Sequence, residues 1–337
     1  MPTNQRETID KLPAIPSVEE SIALYIDSVS LARSNNTART YSNALHAFSQ
    51  ALESADIEPE THPINELNED SVAVFAKELK KFSPATETLY LTAVAGFFEF
   101  ISAERLADPS LPRVRLLIRQ RGRRPGPRLP QFPREDIENL LKSMDSLLSA
   151  PYEDDVEHLR NLRDRAFITT LANTGLRVHE ACALRRGELE WEEGRAIIIG
   201  KGNRQAVVRF STTSLRTLKD YLNVRASLDG SSGKPLASLP IFARHDKGAG
   251  KRVENISTTT GRNIIAHRVA QILGRDKVGS ITPHSFRHFF VTTVLRASGG
   301  NLKLAQELAR HKNIQVTQRY AHLSDDELDR GYFEVFK

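Results

Sequence analysis

The chain has 337 residues, of which 39% are hydrophobic and 26% are charged, and its net charge is +5. That length suits two globular domains, and the composition excludes an intrinsically disordered protein. The one cysteine excludes an intramolecular disulfide and a cysteine-rich zinc site. No apolar run approaches the roughly 18 residues of a membrane span, and charged residues occupy the N-terminal stretch where a secretory signal is apolar. We therefore expect a cytoplasmic protein.

Four amphipathic helices are predicted over residues 17–106, after a tail of residues 1–16. Ser17 opens the first helix with a capping box, and Ser83 followed by Pro84 begins the fourth. Aliphatic and aromatic side chains recur at helical spacing along each helix, as they do in helices that pack on a core. Acids, bases and nucleophiles do not cluster here, so we predict a small helical domain that binds a partner and does not catalyse.

An arginine-rich segment separates this domain from the rest of the chain. Residues 113–134 contain eight arginines and no acidic residue, and prolines and glycines are interleaved with the arginines. We predict that residues 107–133 form an extended linker whose guanidinium groups contact nucleic-acid phosphates, with a solvated linker as the alternative. The arginines of the predicted contact are Arg113, Arg115, Arg119, Arg121, Arg123, Arg124 and Arg128.

The remainder of the chain has a mixed pattern. Two β-branched runs flank a Gly-Lys-Gly-Asn turn, which predicts an antiparallel hairpin with Lys201 at its tip. Helical periodicity lies on both sides of the hairpin, and Gly175 caps the end of one helix. We predict an α+β fold, mainly α, with a second domain over residues 134–323 and a C-terminal helix or tail over residues 324–337. The predicted helices of the second domain cover residues 134–144, 158–175, 258–274, 282–300 and 301–311.

Four short motifs in the second domain carry residues suited to phosphodiester chemistry. Such chemistry requires cations around the phosphate, a proton donor for the leaving oxygen and a nucleophile. A tyrosine nucleophile conserves the energy of the broken bond, which allows strands to be rejoined. The sequence has no HExxH, no DxD pair and no glycine-rich phosphate loop, so we expect no metal ion or other cofactor. The candidate residues are Arg177 in TGLRVHE, Lys201 in GKGN, His284 and Arg287 in PHSFRH, and His311 and Tyr320 in ARHKNIQVTQRY.

Each candidate also has an ordinary structural interpretation. Arg177 follows a glycine cap and can satisfy helix carbonyls, and Lys201 can be a solvated turn residue. His284 and Arg287 can form a surface pair. The occurrence of all these residue types together favours the catalytic interpretation.

Together, the segments TGLRVHE, GKGN, PHSFRHFFVT and LARHKNIQVTQRYAHL resemble the tyrosine recombinase (phage integrase) family, in particular Xer-like and mobile-element integrases. The resemblance covers residues 17–335 and implies a small helical core-binding (SAM-like) domain, a linker, and a mixed α/β catalytic domain with a small antiparallel sheet. It implies a metal-independent, site-specific recombinase that cuts and rejoins DNA through a 3′-phosphotyrosyl intermediate and a Holliday junction. The implied partners are a double-stranded DNA site and further copies of the chain, as a tetramer in the synapse, in the nucleoid of a prokaryote.

The resemblance assigns a role to each of the cations and histidines. Arg177 and Arg287 would clamp the phosphate, and Lys201 would donate a proton to the leaving 5′ oxygen. His284 and His311 would orient the phosphate and share protons.

The resemblance also makes Tyr320 the nucleophile. We interpret Tyr332 as part of an apolar tail that docks, and the resemblance implies that such a tail packs on a neighbouring protomer. Glu180 fits the acidic position of the family's TGLRxxE box and would be a structural support. Arg310 occupies a position that is usually glycine in the family. We expect Arg310 to alter how His311 meets the phosphate or to contact DNA.

Two alternatives remain open at this point. The first is a type IB topoisomerase-like activity, in which the same tyrosine chemistry cuts and reseals one strand without exchanging partners. The second is a non-catalytic DNA-binding protein of the same fold.

Overall fold

The computed structural model of the protein describes residues 15–123, 133–149, 151–200, 204–246, 248–250, 252–318 and residue 333. The chain divides into two compact units, Met1–Arg128 and Leu129–Lys337, and each is described by itself. Most of the predicted tail and residues 124–132 of the predicted linker lie outside the described residues. No helix among the described residues is long and apolar enough to cross a membrane.

The first unit is a bundle of five helices around one apolar core. Ser17 and Ser83 accept hydrogen bonds from the first turns of their helices, as the capping signals predict. The core contains a cluster of phenylalanines whose rings pack edge to face, including Phe48, Phe75 and Phe97. The predicted helical domain is therefore confirmed. Its helices are α1 (Val18–Ala32), α2 (Asn35–Glu53), α3 (Asp70–Glu78), α4 (Pro84–Ala103) and α5 (Leu111–Arg121).

Helix α5 corrects the prediction of an extended linker over residues 107–133, because residues 111–121 of that segment are helical. Pro112 lies in the first turn of α5, where proline is favourable. Val114 and Leu117 are buried against the core of the first unit, at helical spacing. The surrounding arginines and prolines obscured the helical spacing of Val114 and Leu117. Burial of these two apolar side chains stabilises the helix over an extended conformation.

The second unit is built around α7, which is buried along almost its whole length. Helix α9 packs against α7 through Leu218 and Leu222, and the sequence analysis did not predict α9. The α+β, mainly α fold predicted from the sequence is confirmed. The helices of this unit are α6 (Arg134–Asp145), α7 (Asp155–Thr174), α8 (Val178–Ala183), α9 (Thr212–Val224), α10 (Ala226–Gly230), α11 (Thr258–Ile272), α12 (Pro283–Ala297), α13 (Leu302–Ala309) and α14 (Ile314–Gln318).

The sheet of the second unit is small and antiparallel. Its strands are β1 (Leu189–Glu190), β2 (Arg195–Gly200) and β3 (Arg204–Arg209), in that order across the sheet. Ala196 and Ile198 face the core, whereas Ile199 is exposed, as alternation along a strand requires. Strands β2 and β3 form the predicted hairpin. Lys201, which was predicted to lie at its tip, is outside the described residues.

A close approach between α8 and α11 depends on Gly261. A Cβ at this position would lie 3.0 Å from the ring of Phe167 and 3.1 Å from both Cys182 Sγ and Val178 Cγ2. Burial raises the pKa of Cys182 to about 12, and its side chain is a small core residue, as in most free buried cysteines. The contact brings Arg262, the next residue of α11, to the same side of the unit as the start of α8.

Buried ion pairs connect α7 to α11 and the end of α9 to α10. Asp164 pairs with Arg163 at 2.7 Å and with Arg268 of α11 at 2.8 Å. Arg225 is fully buried, where it pairs with Asp229 at 2.8 Å and donates to two backbone carbonyls. Because each of these charges has an opposite charge or several hydrogen-bond partners, the network is tolerated in the core.

Candidate active site

The turn between α7 and α8 positions the first candidate arginine. Gly175 ends α7 with φ at 60°, and a Cβ there would lie 2.4 Å from the ring of Phe290, so the position requires glycine. Arg177 is the N-cap residue of α8, and its backbone N–H donates to Glu180 Oε2 at 2.9 Å. Its Nη1 donates to Glu180 Oε1 at 2.8 Å. The Arg177 side chain remains 45% exposed, so it can bind a ligand while Glu180 holds its position.

The start of α12 positions the second arginine and a histidine. Pro283 in the first turn and the capping box of Thr282 fix where this helix begins. Arg287 is buried and donates to the carbonyls of Gly175 and Ala309, which joins α12 to the ends of α7 and α13. His284 lies one turn earlier on the same helix and is partly exposed.

The end of α13 brings in the second candidate histidine. His311 lies two residues beyond the end of α13, and its backbone N–H donates to the Gln306 carbonyl at 3.0 Å. Its ring Nδ1 is hydrogen-bonded to the Thr317 hydroxyl at 2.8 Å, which orients the imidazole. The structure thus places His311 beside the carbonyl of Ala309 that Arg287 binds.

Three of the predicted residues line one open cavity of about 310 Å³. His179 and Arg262 line it as well; His179 lies inside the TGLRVHE segment without having been assigned a role, and Arg262 lies in none of the four motifs. Arg262 is exposed and has no ion pair among the described residues, so its charge is available to an anion in the cavity. The full lining is Leu176, Arg177, Val178, His179, Arg262, Thr282, Pro283, His284 and Arg287.

The electrostatics of the site favour the neutral forms of His284 and His311 at pH 7. Burial and the positive charges of Arg287 and Arg177 lower the pKa of His284 and bring that of His311 to about 4. Burial favours the protonated form of Glu180, but Arg310 and Arg177 outweigh it and hold its pKa below the usual value. Two neutral imidazoles beside several cations are suited to accept or relay a proton next to a bound phosphate.

Arg310 does not lie where the sequence analysis expected a DNA contact. Its side chain is 10% exposed, and Nη2 donates to Glu180 Oε2 at 3.0 Å. The same nitrogen lies 3.4 Å from the Gly175 carbonyl. The guanidinium therefore belongs to the interior of the site, with Glu180 as its counter-ion.

Several predicted site residues lie outside the described residues: Lys201, Tyr320 and Tyr332. Tyr320 is nine residues beyond His311, and α14 ends at Gln318, two residues before it. The roles of these residues stay predictions.

The described arginines that were predicted to bind DNA fall into two groups in the first unit. In the first group, each side chain pairs with a carboxylate. Arg113 pairs with Asp70 and Arg115 with Glu99, each at 2.8 Å. Arg123 pairs with Glu87 at 2.5 Å and donates to the Phe82 carbonyl at 2.6 Å.

The second group is exposed and, among the described residues, has no carboxylate partner. It consists of Arg119 and Arg121 on α5. Arg124 and Arg128 lie outside the described residues. Exposed cations without a counter-ion are the better candidates for phosphate contacts, because no existing ion pair has to be broken.

Comparison with protein families gives two matches along the chain. Residues 132–327 match the model of the phage integrase family, and residues 22–105 match the phage integrase N-terminal SAM-like domain. Tyrosine recombinase XerC of Thermodesulfovibrio yellowstonii is 29% identical over 294 residues, which cover 86% of each protein. Tyrosine recombinase XerD of Chlorobaculum tepidum is 27% identical over 324 residues, covering 94% of this chain and 95% of the relative.

Solved structures with the same fold include two recombinases bound to DNA. XerH site-specific recombinase in a post-cleavage complex with a palindromic difH substrate superposes with a TM-score of 0.62 at 21% identity, covering 88% of this chain and 78% of that one. The Tn1549 transposon integrase in complex with transposon right end DNA has a TM-score of 0.63 at 17% identity, covering 94% of this chain and 99% of that one. At these identities the likeness establishes the fold.

Proposed function

Because this chain belongs to the phage integrase family, we propose that it is a site-specific recombinase that cuts and rejoins DNA through a 3′-phosphotyrosyl intermediate. The observation that carries the proposal is the convergence of Arg177, His284 and Arg287 on one cavity. These residues come from the start of α8 and the start of α12, more than 100 residues apart in the chain. Cations and neutral imidazoles that converge in this way suit an anionic phosphate on which charge develops.

In the proposed reaction, Tyr320 attacks the scissile phosphate while Arg177 and Arg287 neutralise its non-bridging oxygens. A bond forms between the tyrosine oxygen and phosphorus, and the bond from phosphorus to the 5′ oxygen breaks. Lys201 gives a proton to the leaving 5′ oxygen, and the phenolic proton passes to a neutral histidine or to water. The phosphotyrosyl bond conserves the energy of the broken phosphodiester, so a 5′ hydroxyl from another strand reverses the step.

We further propose that the partners are a double-stranded DNA site and other copies of this chain. Two duplex sites held by four protomers would exchange one pair of strands, form a Holliday junction, and then exchange the other pair. Such a protein would act on the nucleoid of a prokaryotic cell. The relatives that carry the names XerC and XerD support a recombinase over a topoisomerase.

The nucleophile is tested by trapping the covalent intermediate. The protein is incubated in EDTA with a library of nicked duplexes, and protein joined to DNA is separated on a denaturing gel. We expect a covalent band with the unmodified protein and with Tyr332→Phe, and complete loss of the band with Tyr320→Phe. Sequencing of the trapped DNA identifies the site.

A plasmid assay with the trapped site then distinguishes recombination from topoisomerase activity and from DNA binding alone. A plasmid with two copies of the trapped site should yield recombinant products with the unmodified protein. Relaxation of supercoils without recombinants would instead indicate topoisomerase activity. Tight DNA binding with no covalent band in any variant would contradict the proposed chemistry.

A further inference from the structure

Residue 310 has an unusual backbone conformation for its type. Arg310 ends α13 with φ at 58° and ψ at 42°, in the left-handed region. Glycine adopts this conformation without steric cost, whereas a residue with a Cβ is strained in it. Arg105 adopts the same φ on the surface, whereas the side chain of Arg310 points into the second unit and forms contacts there that offset this cost.

The side chain of Arg310 shares acceptors with both candidate phosphate-binding arginines. Glu180 accepts from Arg310 Nη2 with Oε2 and from Arg177 Nη1 with Oε1. The Gly175 carbonyl accepts from Arg287 Nη1 and also lies 3.4 Å from Arg310 Nη2. Arg310 thus connects the turn that carries Arg177 to the group that anchors Arg287.

Arg310 also changes the charge balance around Glu180. Without Arg310, the buried carboxylate of Glu180 would have Arg177 as its guanidinium partner, and the pair would be close to neutral. Counting also Arg287, which binds backbone carbonyls nearby, the cluster would hold two guanidinium groups and one carboxylate without Arg310, and it holds three guanidinium groups and one carboxylate with it. Two positive charges then remain to stabilise a phosphate that gains negative charge as the nucleophile attacks.

We propose that Arg310 is a positioning residue that binds Glu180 and thereby holds Arg177 and Arg287 ready to grip the scissile phosphate. This inference rests on the proposed function, because it assigns a task to Arg310 in the same reaction. The guanidinium is buried, so it acts through the other two arginines and not as a surface contact to DNA. At a position that is usually glycine in the family, Arg310 thus provides a fixed ion pair with Glu180.

The test compares Arg310→Gly with the unmodified protein and with the control Arg296→Ala, which removes an exposed arginine at the far end of α12. Glycine retains the left-handed backbone, so the variant should fold and melt normally. On the nicked substrate, at saturating protein, the single-turnover cleavage rate of Arg310→Gly should fall by about 100-fold. The salt dependence of its DNA binding should stay unchanged, because a buried guanidinium releases no counter-ion.

A second substitution separates positioning from a simple loss of packing. In the Arg310→Gly background, Glu180→Gln removes the one negative charge and so returns the cluster to its original net charge, while its amide oxygen still accepts from Arg177. This double variant should recover most of the lost cleavage rate. In the unmodified background the same Glu180→Gln change leaves Arg310 without its counter-ion, so it should lower the rate.

An NMR measurement on the DNA-free protein provides a readout that does not require cleavage. The side-chain Nε–H signals of Arg177 and Arg287 should exchange with water faster in Arg310→Gly than in the unmodified protein. Equal exchange, or an Arg310→Gly protein that cleaves at the unmodified rate without rescue by Glu180→Gln, would overturn the role of Arg310. Faster exchange in a protein that never forms a covalent complex would support the positioning role and contradict the proposed reaction.

Discussion

Among single residues, Arg262 shows how packing places a charge that sequence motifs do not reveal. Gly261 allows α11 to approach α8 closely, and Arg262 consequently lines the cavity that Arg177 and Arg287 also line. Arg262 has no ion pair among the residues that the structure describes. A phosphate next to the scissile one is the simplest ligand for such a group.

We expect Arg262→Ala to weaken DNA binding uniformly across sequences. Loss of one phosphate contact should reduce the slope of log affinity against log salt by about 1. Fluorescence anisotropy with labelled duplex over a range of salt concentrations measures this slope, with Arg296→Ala as the matched control. An unchanged slope would show that Arg262 does not contact DNA.

The candidate site is only partly predictable at the residue scale. Arg177, His284 and Arg287 are recognisable because they stand in short motifs, and the structure brings them to one cavity. The inward position of Arg310 is not recognisable, because it depends on Glu180, which lies 130 residues away in the chain. The neutral state of the histidines is equally hidden, since burial and neighbouring cations cause it.

At the scale of elements, α5 changes the interpretation of the arginine-rich segment. Its apolar residues have helical spacing, but the prolines and arginines on either side favoured an extended interpretation. Helix α9 was missed as well, although Leu215, Leu218 and Leu222 follow a similar spacing. The hairpin and the motif-bearing helices were predictable because glycine, proline and capping residues mark their ends.

The helical form of α5 divides its arginines into paired and unpaired groups, and we predict different effects on DNA binding. Replacing Arg119 and Arg121 together with alanine should reduce the salt slope by about 2, close to 0.9 for each lost contact. The matched double variant, Arg113→Ala with Arg115→Ala, removes residues that pair with Asp70 and Glu99. It should leave the slope nearly unchanged, and an equal reduction in both variants would contradict the division.

At the scale of the whole molecule, three partly or fully buried histidines link stability to pH. Burial and nearby arginines lower the pKa of His245 to about 3, and mainly burial lowers those of His288 and His311 to about 4. In the unfolded chain each returns towards the ordinary value of 6.5. The unfolded state therefore binds more protons between pH 6.5 and 4.

We accordingly expect the stability to be full above pH 6.5 and to decrease as the pH falls from 6.5 towards 4. Each proton taken up on unfolding lowers the free energy of unfolding by up to about 1.4 kcal/mol per pH unit. Urea unfolding midpoints measured between pH 8 and pH 4.5 test this. A His245→Gln variant, which retains a polar partner for the Tyr221 hydroxyl, should show a shallower decrease. A midpoint that rises on acidification would refute the assignment of neutral histidines.

The ion pair between Arg123 and the buried Glu87 fixes Arg123 to the first unit and so limits the length of chain between this residue and the second unit. Nine residues, 124–132, separate Arg123 from Pro133, so a fully extended chain between these two residues spans at most roughly 35 Å. In the proposed DNA complex, a connection of this maximum length would raise the local concentration of one unit at the DNA into the millimolar range once the other is bound. Two modest affinities would then combine into avidity, and the buried Glu87 would contribute to it through its ion pair with Arg123.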